Sequence, residues 1–103
     1  MRIIAKKTLV NFYYKHVSSK ASLESWFSEV LEQEWDMPSD VIRQYSTADV
    51  ITGKRFVFNI KGNDFRLIVD IEFKLKIVFV VWIGTHAQYD KIKVEEVQYV
   101  KSN

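Results

Sequence analysis

One stretch of the sequence brings acid–base residues together at close spacing. Residues 84–91 contain His86, Tyr89 and Asp90. Because residues three and four apart share one face of a helix, these side chains are expected to lie side by side. Histidine titrates near neutral pH and can act as a general base or a general acid. The structural alternative is a short helix capped by Thr85, with His86 and Tyr89 packed against a sheet edge.

A second stretch, residues 57–67, offers positive charge. Arg66 presents a planar, permanently charged fork that suits a phosphate. Its alternative interpretation is an exposed strand arginine paired with Asp70 or Glu72. Lys61 is placed at a hairpin tip, where it could contact a phosphate or simply be solvated.

Most established catalytic signatures are missing from the sequence. There is no cysteine, and no Walker loop, GxGxxG, GxSxG or HExxH pattern occurs. His16 and His86 are far apart and neither adjoins a carboxylate cluster. The sequence therefore predicts neither a metal site nor a bound cofactor.

The first half of the chain is expected to be helical. Leu9, Phe12, Tyr13 and His16 follow helical spacing, and a longer apolar stripe runs from Leu23 to Trp35. The aromatic residues of that stripe are expected in the core. Pro38 suits the first turn of a short helix that ends at Gln44.

The second half changes to the alternating pattern of strands. Strands are predicted at residues 55–60, 65–73 and 77–84, with a hairpin turn at 61–64 and a further short strand at 2–5. The prediction is an α+β fold: an antiparallel sheet of about four strands with an N-terminal helical hairpin on one face. The other face is expected to be polar and open, and to carry Arg66.

Size and composition predict a single domain spanning residues 1–103. The chain has 103 residues, 12.2 kDa and 48% hydrophobic residues, enough for one core. Its net charge is +2, with the basic excess in the second half. That excess is too small for a general DNA binder. Neither a signal peptide nor a membrane span is evident, so a soluble cytoplasmic protein is expected.

These stretches resemble a known family. The run VFNIKGNDFRLIV and the closing IGTHAQYDKI are similar to the HigB-type toxins of the RelE/ParE superfamily. The N-terminal MRIIAKKTLVNFYYKH, the helix around Trp26 and MPSDVIRQY are also similar, so the likeness covers nearly the whole chain. The resemblance implies a compact RelE-like domain.

The resemblance also implies a function. Such a toxin would be a metal-independent endoribonuclease that cleaves mRNA, usually on the translating ribosome, and a helix-turn-helix antitoxin would neutralise it. The residues that match the family pattern are His86, Arg66, Tyr89 and Lys61 as catalytic groups. Further RNA contacts are expected from Asn63, Lys91, Lys54 and Arg55. Which of His86 and Tyr89 is the base and which the acid stays open.

Two positions depart from many relatives. Phe65 stands where a tyrosine is frequent, and Val81 stands where an arginine is frequent in the last strand. Without that second arginine, Arg66 would supply more of the charge stabilisation.

A second class of activity remains open on the same resemblance. ParE-like members of the superfamily bind and poison DNA gyrase and are not nucleases. The presence of Arg66 and of the segment THAQYDK favours the nuclease, because a steric inhibitor needs no such cluster.

Overall fold

Apolar side chains recur at helical spacing in the first half of the chain, and three helices form there. The computed structural model describes residues 1–98. Its first helices are α1 (Lys6–Lys15), α2 (Lys20–Leu31) and α3 (Pro38–Gln44), with a 3₁₀ turn (Val17–Ser19) between α1 and α2. Pro38 occupies the first turn of α3, where its missing N–H is not needed. The predicted short helix that ends at Gln44 is therefore confirmed.

The second half forms a sheet that N-terminal residues also join. The strands are β1 (Arg2–Ile4), β2 (Asp49–Val50), β3 (Arg55–Ile60), β4 (Phe65–Glu72) and β5 (Ile77–Thr85), followed by the short helix α4 (His86–Tyr89). Their order in the sheet is β1-β5-β4-β3-β2. β1 pairs parallel to β5, and the other pairs are antiparallel.

The predicted α+β class is confirmed, with a small difference in the sheet. It has five strands and is mixed, whereas about four antiparallel strands were expected. The additional strand is β2, whose two residues are both exposed. A two-residue exposed strand leaves no alternation of apolar and polar side chains that a sequence could display.

The hydrophobic core lies between the helices and one face of the sheet. Trp26 and Trp35 are each only 3% exposed, and the Trp26 ring meets Phe58 edge-on at 5.5 Å between ring centres. Leu67 and Val80 of the central strands are buried in the same cluster. The expectation that the aromatic residues between Leu23 and Trp35 form core is thereby confirmed for Trp26 in α2 and for Trp35 after it.

A bulge in β5 sets which side chains face away from this core. Ile68 pairs with Trp82 while Val69 pairs with Val80, so Val81 is the extra residue. Directly paired residues share a face of the sheet, and a bulge shifts that alternation by one. Trp82 consequently projects on the face opposite the helices, beside Ile68.

This second face is not open along its whole length, contrary to the prediction. Ile68 and Val57 are both fully buried although they lie outside the main core cluster. Near the start of β3, Arg55 Nη1 donates to the carbonyls of Val94 and Val97 and holds the segment after α4 across the sheet. The end of the face that carries Arg66 is the more open part.

Candidate functional site

The turn between β3 and β4 is the first element that positions the site. Lys61 and Gly62 both adopt left-handed backbone angles, with φ of 53° and 64°. Such consecutive positive angles suit a tight hairpin, and glycine adopts them without strain. The turn places Asn63 directly beside the first residues of β4.

Arg66 lies on β4 with its guanidinium folded back onto this turn. It pairs across the sheet with Asn59 on one side and Gly84 on the other. Nη1 donates to the Asn63 carbonyl at 3.2 Å and to the Phe65 carbonyl at 3.3 Å, and Nη2 lies 3.4 Å from Asn63 Oδ1. These neutral acceptors orient the guanidinium without cancelling its charge.

The alternative pairing of Arg66 with a strand carboxylate does not occur. Asp70 is engaged by Arg55, and Glu72 lies 4.0 Å from Lys54 Nζ. Within residues 1–98, no carboxylate oxygen comes within 4 Å of the Arg66 guanidinium. Its positive charge is therefore available to an anion.

Tyr89 of α4 stands under this guanidinium. The Arg66 Cζ atom lies 5.9 Å from the centre of the Tyr89 ring, which is itself 6.2 Å from the Trp82 ring. Burial raises the pKa of Tyr89, the negative charge of Asp49 raises it further, and Arg66 opposes both. Since a free tyrosine ionises near pH 10, the phenol stays protonated at neutral pH.

His86 is the first residue of α4 and its side chain is half exposed. Its Nε2 atom lies 3.5 Å from Asp90 Oδ1, one helical turn away. Its backbone N–H donates to the Asp64 carbonyl at 3.0 Å and so ties α4 to the β3–β4 turn. Thr85 and Gln88 form a reciprocal capping box at the start of α4, as the sequence predicted for Thr85.

The structure separates the remaining predicted residues. Lys61 is exposed on the turn, but it borders a groove with Ser25 and Glu29 of α2 on the helical side. Lys91 is exposed just after α4. Lys54 lies at the other end of β3 from the turn. The structure thus brings Arg66, Asn63, Tyr89 and α4 together.

Arg55 requires a correction, because it is an internal residue. It is 8% exposed, and its guanidinium is bound to Asp70 by two hydrogen bonds of 2.7 and 2.8 Å. Arg55 Nη1 also donates hydrogen bonds to the carbonyls of Val94 and Val97. With its donors engaged inside the fold, Arg55 has a structural role in place of the predicted RNA contact.

Trp82 adjoins the site and was not predicted. The sequence shows β5 as one apolar run, and the bulge at Val81 makes its alternation unreadable. One residue in the sequence indicates where the Trp82 ring lies, namely Gly84. A Cβ atom at Gly84 would overlap the Trp82 indole and approach Gln88 Oε1. Gly84 therefore leaves the space in which Trp82 lies beside α4.

The arrangement has the groups that phosphodiester chemistry requires. Arg66 supplies an uncompensated positive charge, Tyr89 a protonated phenol, and His86 an exposed imidazole on the same short helix. Among residues 1–98, no group of three or more His, Asp or Glu side chains lies close enough to hold a metal ion. In the same part of the chain, no helix is long and apolar enough to cross a membrane.

Two comparisons with known proteins give matches that cover most of the chain. A family model described as HigB toxin, the RelE-like toxic component of a toxin–antitoxin system, matches residues 19–92. The chain is also similar to the mRNA interferase HigB of Escherichia coli O6:H1. The two are 29% identical over 94 residues, which cover 89% of this chain and 91% of that protein. The family match includes the turn, Arg66 and all of α4.

Proposed function

The chain belongs to the HigB family of RelE-like toxins, and on this premise we propose that it is a metal-independent endoribonuclease that cleaves mRNA on the translating ribosome. Residues 1–103 form its single toxin domain, which acts in the cytoplasm, and a helix-turn-helix antitoxin neutralises it. The observation that carries the proposal is the Arg66 guanidinium, which pairs with no carboxylate of residues 1–98 and is set above Tyr89. A steric inhibitor of another enzyme would need no such pairing.

The proposed reaction uses the 2′-hydroxyl of the RNA as nucleophile. His86 takes the proton of that hydroxyl while the 2′-oxygen forms a bond to phosphorus. Arg66 stabilises the extra negative charge on the phosphoryl oxygens, since preorganised donors are most effective where charge develops. The bond to the 5′-oxygen then breaks, and this oxygen takes the proton of Tyr89.

The assignment of acid and base rests on two observations. Tyr89 is protonated at neutral pH, since a tyrosine ionises near pH 10 and burial raises the pKa further, so its phenol has a proton to donate. His86 is exposed, its Nε2 atom lies 3.5 Å from Asp90 Oδ1, and an imidazole is the side chain most often used as a general base. These two features favour His86 as base and Tyr89 as acid.

The other polar residues have supporting roles in the proposal. Asn63 orients Arg66 through its carbonyl and its side-chain oxygen. Lys61, in the β3–β4 turn, and Lys91, just after α4, are exposed and contact phosphates of the bound strand. Lys54, at the far end of β3, is a peripheral contact.

The chemical nature of the products tests the reaction class. We expect a 2′,3′-cyclic or 3′-phosphate on one fragment and a 5′-hydroxyl on the other, because the substrate's own 2′-oxygen attacks. Alignment of such an internal nucleophile can contribute up to about 7–11 kcal/mol. The 5′-hydroxyl is detected by direct labelling of the products with polynucleotide kinase. Cleavage should also survive EDTA, with ribosome integrity checked by sedimentation.

Other results would contradict the proposed reaction or favour the alternative function. A 5′-phosphate on the products, or strict dependence on added Mg²⁺, contradicts the proposed reaction. If no RNA is cut with or without ribosomes while purified gyrase is inhibited, the chain acts as the ParE-like alternative.

Replacing His86 by alanine should slow cleavage by about 10²- to 10⁴-fold, the usual effect of losing a general base. RNA affinity should change little, because it depends mainly on phosphate contacts from arginine and lysine. The measurement is single-turnover cleavage beside binding of an uncleavable 2′-O-methyl RNA. Asp90→Asn keeps the imidazole and should give a smaller loss. Equal cleavage rates for His86→Ala and the unaltered protein would exclude His86 as the base.

A further inference from the structure

A cleft lies beside the candidate site, between the end of α1 and the start of α4. Its volume is about 410 Å³, within the range of small-molecule sites. The side chains that line it are Phe12, Lys15, His16, Trp82, Ile83, Gln88 and Ile92. The proposed reaction does not use this cleft.

The walls of the cleft are aromatic. The Phe12 and His16 rings stack at 4.3 Å between centres with an angle of 18° between their planes, and Phe65 meets both edge-on. Trp82 contributes its indole from β5. Since Trp26 and Trp35 are core residues, Trp82 is the tryptophan at the surface. Flat, partly exposed rings of this kind are platforms on which nucleobases stack.

The charge around the cleft favours a polyanion. Lys15 lies at its rim, and none of its lining residues is acidic. Lys15 therefore gives the cleft a positive rim, which suits a phosphate.

The cleft is continuous with the candidate site. The Trp82 ring lies 6.2 Å from that of Tyr89, over which the Arg66 guanidinium stands. Gln88, between them on α4, uses Oε1 to accept from the Thr85 backbone N–H at 2.9 Å. Its amide NH₂ group therefore remains available to donate a hydrogen bond to the carbonyl oxygen of a nucleobase.

We propose that this cleft binds a nucleobase of single-stranded RNA next to the bond that is cut. The base stacks on Trp82, the Phe12–His16 pair lines the cleft on its helical side, and Lys15 contacts the adjoining phosphate. The inference rests on the proposed ribonuclease function and adds a subsite to it. Every nucleobase can stack on an aromatic ring, so stacking on Trp82 holds the RNA strand without selecting a base. Any preference for one base comes from the hydrogen bond that the Gln88 amide donates.

Intrinsic fluorescence tests the proposal without any cleavage step. Titration with a short, uncleavable 2′-O-methyl RNA should quench the indole emission, and the quenching should be absent from Trp82→Phe, which keeps a ring. Trp82→Ala should weaken binding by roughly 5- to 150-fold, the effect of losing one stacked base. Tyr14→Ala is the matched control, because Tyr14 is a 76%-exposed aromatic residue of α1 outside the cleft. It should bind as the unaltered protein does.

A second variant keeps the test decisive if Trp82→Ala does not fold. Lys15→Gln should reduce the dependence of log Kd on log salt by about one phosphate contact. If Trp82→Ala folds and binds RNA as tightly as Tyr14→Ala, the proposal is overturned. It is equally overturned if Trp82→Ala weakens only the complex with the antitoxin, since the cleft would then dock a protein. Failure of the unaltered protein to cut any RNA would instead refute the proposed function, whatever the Trp82 variants bind.

Discussion

Replacing Arg66 by alanine should lower the rate of RNA cleavage by about 10²- to 10³-fold and relieve growth arrest while the protein stays folded. The guanidinium is held by neutral acceptors on Asn63 and Phe65 and lies over Tyr89. Removing one preorganised donor to a developing oxyanion costs about 2.7–4 kcal/mol of transition-state stabilisation. The nine residues of β5 include no arginine, so no neighbouring guanidinium on that strand compensates for the loss.

Stability and activity must be measured on the same preparations. Substitutions on the surface usually change the free energy of unfolding by less than about 0.5 kcal/mol, so the Arg66→Ala melting curve should nearly overlay that of the unaltered protein. Lys74→Ala, which removes an exposed cation from the turn after β4, is the matched control and should keep full activity. Arg66→Lys keeps the charge but loses the fork, and should be intermediate. A soluble Arg66→Ala protein that arrests growth undiminished would show that Arg66 is not catalytic.

The resemblance named Arg66 and Tyr89 together as catalytic groups, and the structure places the Arg66 guanidinium over the Tyr89 ring. The hairpin turn at 61–64 and the strands on either side of it carry strong local signals, and the register of a tight hairpin follows from its loop. Thr85 marks the start of α4 as a cap, and this fixes where Tyr89 lies relative to the end of β5. Local chemistry thus determined this part of the site.

The positions of the Arg55 and Trp82 side chains could not be predicted from the sequence, for two different physical reasons. Arg55 begins β3, and it is internal because it pairs with Asp70 across the sheet and because residues 94–97 lie against it. Trp82 faces the site because a bulge at Val81 reverses the alternation of β5, and an all-apolar strand does not reveal a bulge. Both depend on tertiary contacts that no window of neighbouring residues contains.

The internal position of Arg55 leads to the largest expected change in stability. Arg55→Ala should lower the free energy of unfolding by about 3–5 kcal/mol, because it leaves the buried Asp70 carboxylate without its partner. The carbonyls of Val94 and Val97 lose their donor at the same time. Urea denaturation of the purified protein gives the change directly, provided that the slope of the transition stays constant.

A double variant separates the cost of an unpaired charge from the anchoring of the chain after α4. Arg55→Met with Asp70→Leu replaces the pair by apolar side chains of similar size, so most of the lost stability should return. The anchoring should not return, since methionine has no N–H to give to Val94 and Val97. Amide hydrogen exchange at Val97, whose N–H is bonded to the Lys93 carbonyl, should therefore be faster in both variants than in the unaltered protein.

If the double variant is as unstable as Arg55→Ala, the carbonyl contacts and not the ion pair stabilise this face of the sheet. If Arg55→Ala alone changes stability by less than about 1 kcal/mol, the pair contributes no more than an exposed one. The structural role assigned to Arg55 would then be wrong, and its contact with RNA would again be the better explanation for a basic residue at the start of β3.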